Sequence, residues 1–368
     1  MGLAQLMRVL VVNAGSSSLR LRLLGSDDQV LSDRHLENWD GDAPDEVATW
    51  LGELDGVDAI GHRVVHGGPE FRTATTLDDK VEVRIESFTT LAPLHQPRAL
   101  AGIRMTRELL PDVPAVACFD TAYHATLPAA SATYALPAAW REQWDLRRYG
   151  FHGLSHSYAA RQAVELLAPH PVTRIVTCHL GAGASLCASK QGRSVDTTMG
   201  FTPLEGLVMA TRSGSVDPGM LLWLEREGGL SVDELSEGLE HRAGLAGLSG
   251  TSGDMREVLD ARERGDRAAR LAFDVYVHRV VGELARMVTS LGGVDAVAFT
   301  GGVGEHAAEV RAEVVARLGF LGLAIEADAN AKANADADLS ALGATVATLV
   351  VTAREDLEIA RQVREALD

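Results

Sequence analysis

The stretch RVLVVNAGSSSLRLRLL, residues 8–24, decides how the rest of the chain is read. Arg8–Val12 is a short β-branched run and Asn13–Ser18 a tight polar turn. Leu19, Leu21 and Leu23 then alternate with Arg20 and Arg22. Alternation with period two marks a strand, so the stretch reads as strand, turn, strand. About half a chain later the pattern returns: Ile175–Cys178, then His179-Leu180-Gly181-Ala182-Gly183, then Ala184–Ala188. The two units are either unrelated hairpins or the heads of two copies of one α/β domain. Further strands are expected at Ala59–Val65, Ala115–Cys118, Asp295–Phe299 and Val346–Val351. Helical periodicity falls between them, at Glu46–Leu54, Arg98–Leu110, Ser157–Leu167, Val232–Leu239, Arg267–Leu291, Ala307–Leu318 and Glu355–Leu367. On the longest of these, Leu271, Val275, Val277, Val281, Leu284, Met287 and Val288 fall on or near one stripe, which predicts a core or interface helix. Strands alternating with helices call for a parallel or mixed sheet covered by helices. Glu326–Asp338, rich in Ala, Asp and Asn, reads as a frayed helix or a solvated loop.

The chain has 368 residues, 46% of them hydrophobic and 23% charged. That length suits two or three domains, and the apolar share excludes a disordered chain. A net charge of −17 repels phosphate backbones and anionic headgroups, which argues against nucleic-acid and membrane partners. No apolar run approaches the ~18 residues of a membrane span. Cys118, Cys178 and Cys187 sit in apolar runs, and an odd count in a large chain points to buried reduced thiols and a cytoplasmic protein. The first twelve residues read as a strand rather than a leader, and Met1-Gly2 lacks the Ser or Thr at position 6 that acylation needs. Lys80, Lys190 and Lys332 are the only lysines, and none completes a Walker-type loop. Phosphate, if bound, must be held by backbone amides, arginine and metal.

Three Gly-rich turns each follow an expected strand: Asn13–Ser18, His179–Gly183 and Thr300-Gly301-Gly302-Val303-Gly304-Glu305. They are either ordinary loop turns or parts of one nucleotide phosphate site, because glycines let backbone amides approach phosphate oxygens. Arg63 in GHRVVHGG (residues 61–68) and Arg212 in TRSG (211–214) either grip an anion in a bidentate fork or pair with a surface acid. His152 and His156 have a metal-binding spacing. Gly153 and Ser155 argue against a regular helix before His156, and no nearby Cys or Glu completes a zinc set. A His donating a hydrogen bond to a transferring group is the better reading. Asp120 and Glu355 stand at strand ends, where α/β proteins keep metal ligands and bases, or else they satisfy helix amides.

Taken together, VLVVNAGSSSL (9–19), GHRVVHGG (61–68), APLHQP (92–97), FDTAYH (119–124), YGFHGLSH (149–156), DTTMGFTPLEGLVMATRSGSVD (196–217), SGDMR (252–256) and FTGGVGE (299–305) resemble the acetate kinase family. The match is collinear from residue 8 to about 364. The resemblance implies a duplicated actin-like (ribonuclease H-like) α/β fold in two domains with a central cleft. One domain would be an acyl-substrate domain of residues 1–121 plus 357–368; the other would be a nucleotide-binding and dimerisation domain of residues 122–356. It implies reversible in-line phosphoryl transfer between ATP and acetate, with Mg2+ or Mn2+, in a homodimer. Asn13 and Glu355 would hold the metal. Arg63 would grip acetate, with Asp120 as the active-site acid, and His152 and Arg212 would steady the phosphoryl in flight. Val65, Leu94, Phe151 and Pro203 would line a methyl pocket. Arg20, His179, Leu180, Gly181, Ala182, Gly183, Asp254, Met255, Arg256, Gly302, Val303, Gly304, Glu305 and His306 would contact the nucleotide.

This chain departs from the family pattern in places. Ala182 and His306 each stand where Asn is usual, and Arg20 stands where Lys is usual. The stretch Gly25–Leu54 looks shorter. The first two changes bear on nucleotide affinity and choice. A kinase for propionate or another short acid is the alternative enzyme, and an actin-like ATP switch without acyl transfer is the alternative of another class.

Overall fold

The computed structural model describes residues 7–15, 18–42, 45–54 and 56–368. Ser16 and Ser17 of the first Gly/Ser turn, and the Met1-Gly2 start, lie outside the described residues. The chain forms two compact units: Met1–Ala125 with Phe151–Tyr158 and Arg354–Asp368, and Thr126–Gly150 with Ala159–Ala353. The first unit thus takes in Phe151–Tyr158, which the sequence reading put with the nucleotide domain. Two contacts hold that segment: the Gly153 N–H donates to the Asp120 carbonyl at 2.9 Å, and Leu154 joins a buried cluster with Cys118 and Ile359.

The first unit contains strands β1 (Val9–Ala14), β2 (Ser18–Leu24), β3 (Val30–Glu37), β4 (Ala59–Val64), β5 (Thr75–Thr76) and β6 (Ala115–Phe119), in the order β3-β2-β1-β4-β6-β5. β1, β4 and β6 run parallel; β2, β3 and β5 are antiparallel to their neighbours. The second unit contains β7 (Arg174–Leu180), β8 (Ala184–Lys190), β9 (Arg193–Thr197), β10 (Ala296–Thr300), β11 (Ala337–Asp338) and β12 (Ala347–Val350). Its order, read from the β9 edge, is β9-β8-β7-β10-β12-β11, again with three parallel central strands and antiparallel flanks. The two sheets therefore share one topology, strand for strand, which is the signature of the duplicated fold.

Central strands covered on both faces have to be apolar throughout. In the first sheet, Leu10, Val12, Leu21 and Ile60 pack with Val47, Leu51 and Met105 on one face, while Val9, Val11, Val116 and Cys118 pack with Ile359 and Val363 on the other. The polar edge strands β3 and β9 escaped the sequence reading because neither carries a clean alternation. Three expectations change. The helix expected from Ser157 starts at Gly153 and runs to Leu166, despite Gly153 and Ser155. The expected turn Thr300–Glu305 is helical over Gly301–His306. Glu326–Asp338 holds the short helix Ala327–Lys332 and strand β11.

The long helix Arg267–Leu291 has its expected bounds, but its buried stripe runs through Ala269, Ala272, Phe273, Tyr276, Val277, Val280, Leu284, Met287 and Leu291. Leu271 faces out at 56% exposure. All three cysteines are buried free thiols. Among the described residues, no helix is long and apolar enough to cross a membrane.

Gly61 on β4 shows how closely the C-terminal helix Glu355–Leu367 lies on the first sheet. A Cβ there would stand 2.5 Å from Ile359 and 2.7 Å from Val363. Gly61→Ala should therefore destabilise the protein by about 1–3 kcal/mol, the usual cost of overpacking. Gly238→Ala is the control, since Gly238 has open space in the helix Val232–His241 and should be neutral or slightly stabilising. Urea midpoints measure both, and equal midpoints for the two variants would contradict this packing.

Candidate active site

The parallel register of β1, β4 and β6 sets Asn13, Arg63 and Asp120 at the carboxyl ends of three adjacent strands. Val12 pairs with His62, and Arg63 with Cys118, so Asn13 and Arg63 share a level and Asp120 follows Phe119 just beyond β6. Such strand ends are where open α/β sheets place ligands. The Arg63 guanidinium donates to Asp120 through Nη2 at 2.7 Å and through Nε at 3.2 and 3.3 Å, and through Nη1 to Asn13 Oδ1 at 3.3 Å. Asp120 is 2% exposed and Arg63 19%. Burial opposes the Arg63 charge, but the Asp120 and Glu355 carboxylates and the Asp120 hydrogen bonds outweigh it and hold the guanidinium above its usual range. The fork leaves N–H groups on Nη1 and Nη2 for a second carboxylate.

Glu355 begins the helix Glu355–Leu367, and its charge reaches Arg63. Arg20 is the cross-strand neighbour of Asn13, which places it beside these groups in the first unit. There it pairs with Asp33 at 2.9 Å. Both donors in the Asn13–Glu355 set are oxygens, as a hard cation requires. Among the described residues, no group of three His, Cys, Asp or Glu side chains is arranged to hold a metal.

His152 immediately precedes the helix Gly153–Leu166, with φ +55, a left-handed value uncommon for a non-glycine residue. Gly153 follows it because a Cβ there would collide with the Asp120 carbonyl. The bend fixes His152 by way of the residue whose carboxylate holds Arg63. Phe151, which precedes His152, is buried and meets the His66 ring edge-on at 5.5 Å; Val65, next to His66 in the chain, is buried too. Leu94 is exposed at 51%.

Pro203 and Arg212 belong to the second unit. Arg212 Nη1 donates to the Pro203 carbonyl at 3.3 Å, and among the described residues no carboxylate lies within ion-pair distance of it. Burial pulls Arg212 below the usual guanidinium range. The Glu240 carboxylate offsets part of that penalty without reaching ion-pair distance, so the half-buried guanidinium is open to an anion. The loop that carries it is braced by groups the sequence did not single out: Arg148 Nη2 donates to Glu205 at 2.6 Å, the Tyr134 hydroxyl donates to the other Glu205 oxygen, and the Phe201 N–H donates to Tyr134 at 2.9 Å. No spacing pattern links residues 134, 148 and 205, so only the fold reveals them.

The second unit also holds a cavity of about 540 Å3. Of the expected nucleotide contacts, Gly181, Ala182, Asp254, Met255, Arg256, Gly302, Val303 and His306 line it. His179, Leu180, Gly183, Gly304 and Glu305 do not. The Glu305 carboxylate is engaged by the Gly301 and Ala353 N–H groups at 3.0 and 2.9 Å. Asp254 caps the helix Met255–Glu263, and the Arg256 side chain and amide hold its carboxyl below the usual range. Leu245 and Leu259 add apolar wall that is indistinguishable from core in the sequence. A cavity of this size, apolar with a few polar groups, suits a ligand of nucleotide dimensions.

The model of the Acetokinase family matches residues 45–361. An acetate kinase of Synechococcus sp. is 50% identical over 312 residues, covering 84% of this chain and 77% of that protein. The crystal structure of Porphyromonas gingivalis acetate kinase superposes with a TM-score of 0.91 at 34% identity, over 98% of this chain and 100% of that one. A propionate kinase from Francisella tularensis gives a TM-score of 0.90 at 35% identity, over 98% and 99%. The chain belongs to the acetokinase family.

Proposed function

We propose that this protein is an acetate kinase that moves the terminal phosphoryl group of ATP to acetate, reversibly, giving acetyl phosphate and ADP. One observation carries the reading: the Arg63 fork, pinned by Asp120 and Asn13 with donors to spare; the buried Val65, two residues on, and Phe151 are the groups we assign to the acyl pocket. A guanidinium with free N–H groups, together with an apolar pocket, suits a carboxylate that bears one short alkyl group.

An acetate oxygen bonds to the γ-phosphorus as the bond from that phosphorus to the β,γ-bridging oxygen breaks, in line and without a phosphoenzyme. Acetate is ionised at neutral pH, so no residue has to take a proton from it. Asp120, engaged on both oxygens by Arg63, orients that guanidinium rather than acting as a base. Catalysis then consists of alignment and of positive charge at the three equatorial oxygens of the transferring group. Arg212, with no carboxylate partner, and His152, fixed at its bend, are the groups we assign to that charge. Asn13 and Glu355 would hold Mg2+, whose part is to offset the charge of the nucleotide phosphates. Two protein oxygen donors suffice, because that ion keeps most of its waters. The cavity lined by Gly181, Ala182, Asp254 and Gly302 is read as the nucleotide site. The three buried thiols suit a reducing cytoplasm, and the exposed Met220, Leu222 and Trp223 of the helix Pro218–Arg226 suit burial against a second copy.

Trapping acetyl phosphate with hydroxylamine in the presence of ATP, acetate and Mg2+ tests the reaction. Hydroxamate should form in proportion to enzyme, and none above blank from folded protein would end this reading. Arg63→Ala should cut kcat/KM for acetate by about 100–1,000-fold, as expected for a charged donor to the reacting group, and leave ATP affinity nearly unchanged. Arg212→Ala should cut kcat by a similar factor, and a fall in acetate affinity alone would reassign it. The buried Val65 side chain narrows the acyl pocket, so kcat/KM should favour acetate over propionate, although one methylene limits the ratio to roughly 10–200-fold. A preference for propionate would make the protein a propionate kinase.

A further inference from the structure

Arg311 is 1% exposed, the largest fully buried side chain among the described residues, and no carboxylate contacts it. Its Nη1 donates to the carbonyls of Gly304 and Glu305 at 2.9 and 2.7 Å; Nε and Nη2 donate to the side-chain and main-chain oxygens of Asn330, both at 2.7 Å. Asn330, 5% exposed, completes the clamp by donating Nδ2 to the Ala308 carbonyl at 2.9 Å. Burying a charge with no carboxylate in contact is costly, even with the Glu309 carboxylate acting at longer range, and is tolerated where its donors find acceptors. Here all the acceptors but those of Asn330 belong to the end of one short helix, Gly301–His306. That helix presents Gly302, Val303 and His306 to the cavity. Its other end is tied by Glu305, whose carboxylate accepts from the Gly301 and Ala353 amides. Three glycines in a six-residue helix make it intrinsically weak, so its shape depends on these outside clamps.

We propose that Arg311, held by Asn330, is the positioning residue of the nucleotide site: its guanidinium locks the Gly301–His306 helix against the cavity so that Gly302 and Val303 meet the nucleotide with fixed geometry. This deepens the nucleotide reading of that cavity and rests on it. The Ala327–Lys332 helix, which carries Asn330, thereby gains a function that its composition does not disclose.

The test compares Arg311→Lys, which keeps the charge and loses the fork, with Asn330→Ala, which keeps Arg311 and loses one anchor. Neither residue touches the cavity. Both KM values, ATP affinity by calorimetry and Tm are measured for each variant and for the wild type. KM for ATP should rise about tenfold in both, with KM for acetate within about twofold of wild type, because only one ligand's contacts are loosened. A purely structural role would lower Tm and the folded fraction without separating the two KM values, and that result would overturn the proposal. If Arg311→Lys does not fold, Asn330→Ala alone decides by the same criterion. A wild type that binds no ATP fails the underlying reading of the cavity. A wild type that binds ATP beside variants with unshifted KM for ATP fails this proposal alone.

Discussion

The contact between Arg63 and Asp120 is the constraint around which the first unit is arranged. Three hydrogen bonds at 2.7–3.3 Å fix a guanidinium that would otherwise sweep several rotamers. A carboxylate buried at 2% exposure is stable there only because that guanidinium answers it. The same Asp120 receives the Gly153 amide on its main chain, so the bend that carries His152 depends on it as well. One strand end therefore orients the group assigned to acetate and the group assigned to the phosphoryl. Binding a small ligand gains most from such prior ordering, because acetate offers few atoms to offset the entropy of aligning the site.

The two sheets use one topology for different chemistry. At the carboxyl ends of β1, β4 and β6 stand Asn13, Arg63 and Asp120, charged and polar groups suited to a small anion. In the second unit, β7 and β10 lead instead into glycine-rich backbone, Gly181–Gly183 and Gly301–Gly304, beside a cavity large enough for a nucleotide. Duplication supplies two equivalent platforms, and in the proposed function the residues at the strand ends divide the work. The positive charge proposed for the site comes from arginine, and a forked guanidinium suits carboxylate and phosphoryl oxygens better than a point charge does.

What the sequence disclosed follows the strength of its local signals. The helices Arg267–Leu291 and Glu355–Leu367 kept their expected bounds because a long period-3.6 pattern averages out single exceptions. The strand–turn–strand units at 8–24 and 175–188 are legible because β2 alternates, while β1, β7 and β8 are short apolar runs, buried almost throughout, beside a glycine-bearing turn. β3 and β9 were not, since edge strands carry polar residues on both faces. The Gly301–His306 helix looks like a turn because local propensity favours one; the Glu305 carboxylate on Gly301, and Arg311, itself held by Asn330, on Gly304 and Glu305 override that preference. Within the site, Arg63 and Asp120 were each singled out, but their contact spans 57 positions and is set by the pairing of β4 with β6, which no spacing rule contains. Arg148, Tyr134 and Glu205 were missed for the same reason.

A double-mutant cycle on Arg63→Ala and Asp120→Asn, read as kcat/KM for acetate in variants shown to be folded, tests the central claim most directly. If Asp120 acts by holding Arg63, removing it matters little once Arg63 is gone. The combined loss should then fall short of the product of the single losses by about 1.5–3 kcal/mol of coupling. Losses that multiply to within about twofold would mean that the two residues act independently, and would contradict the account.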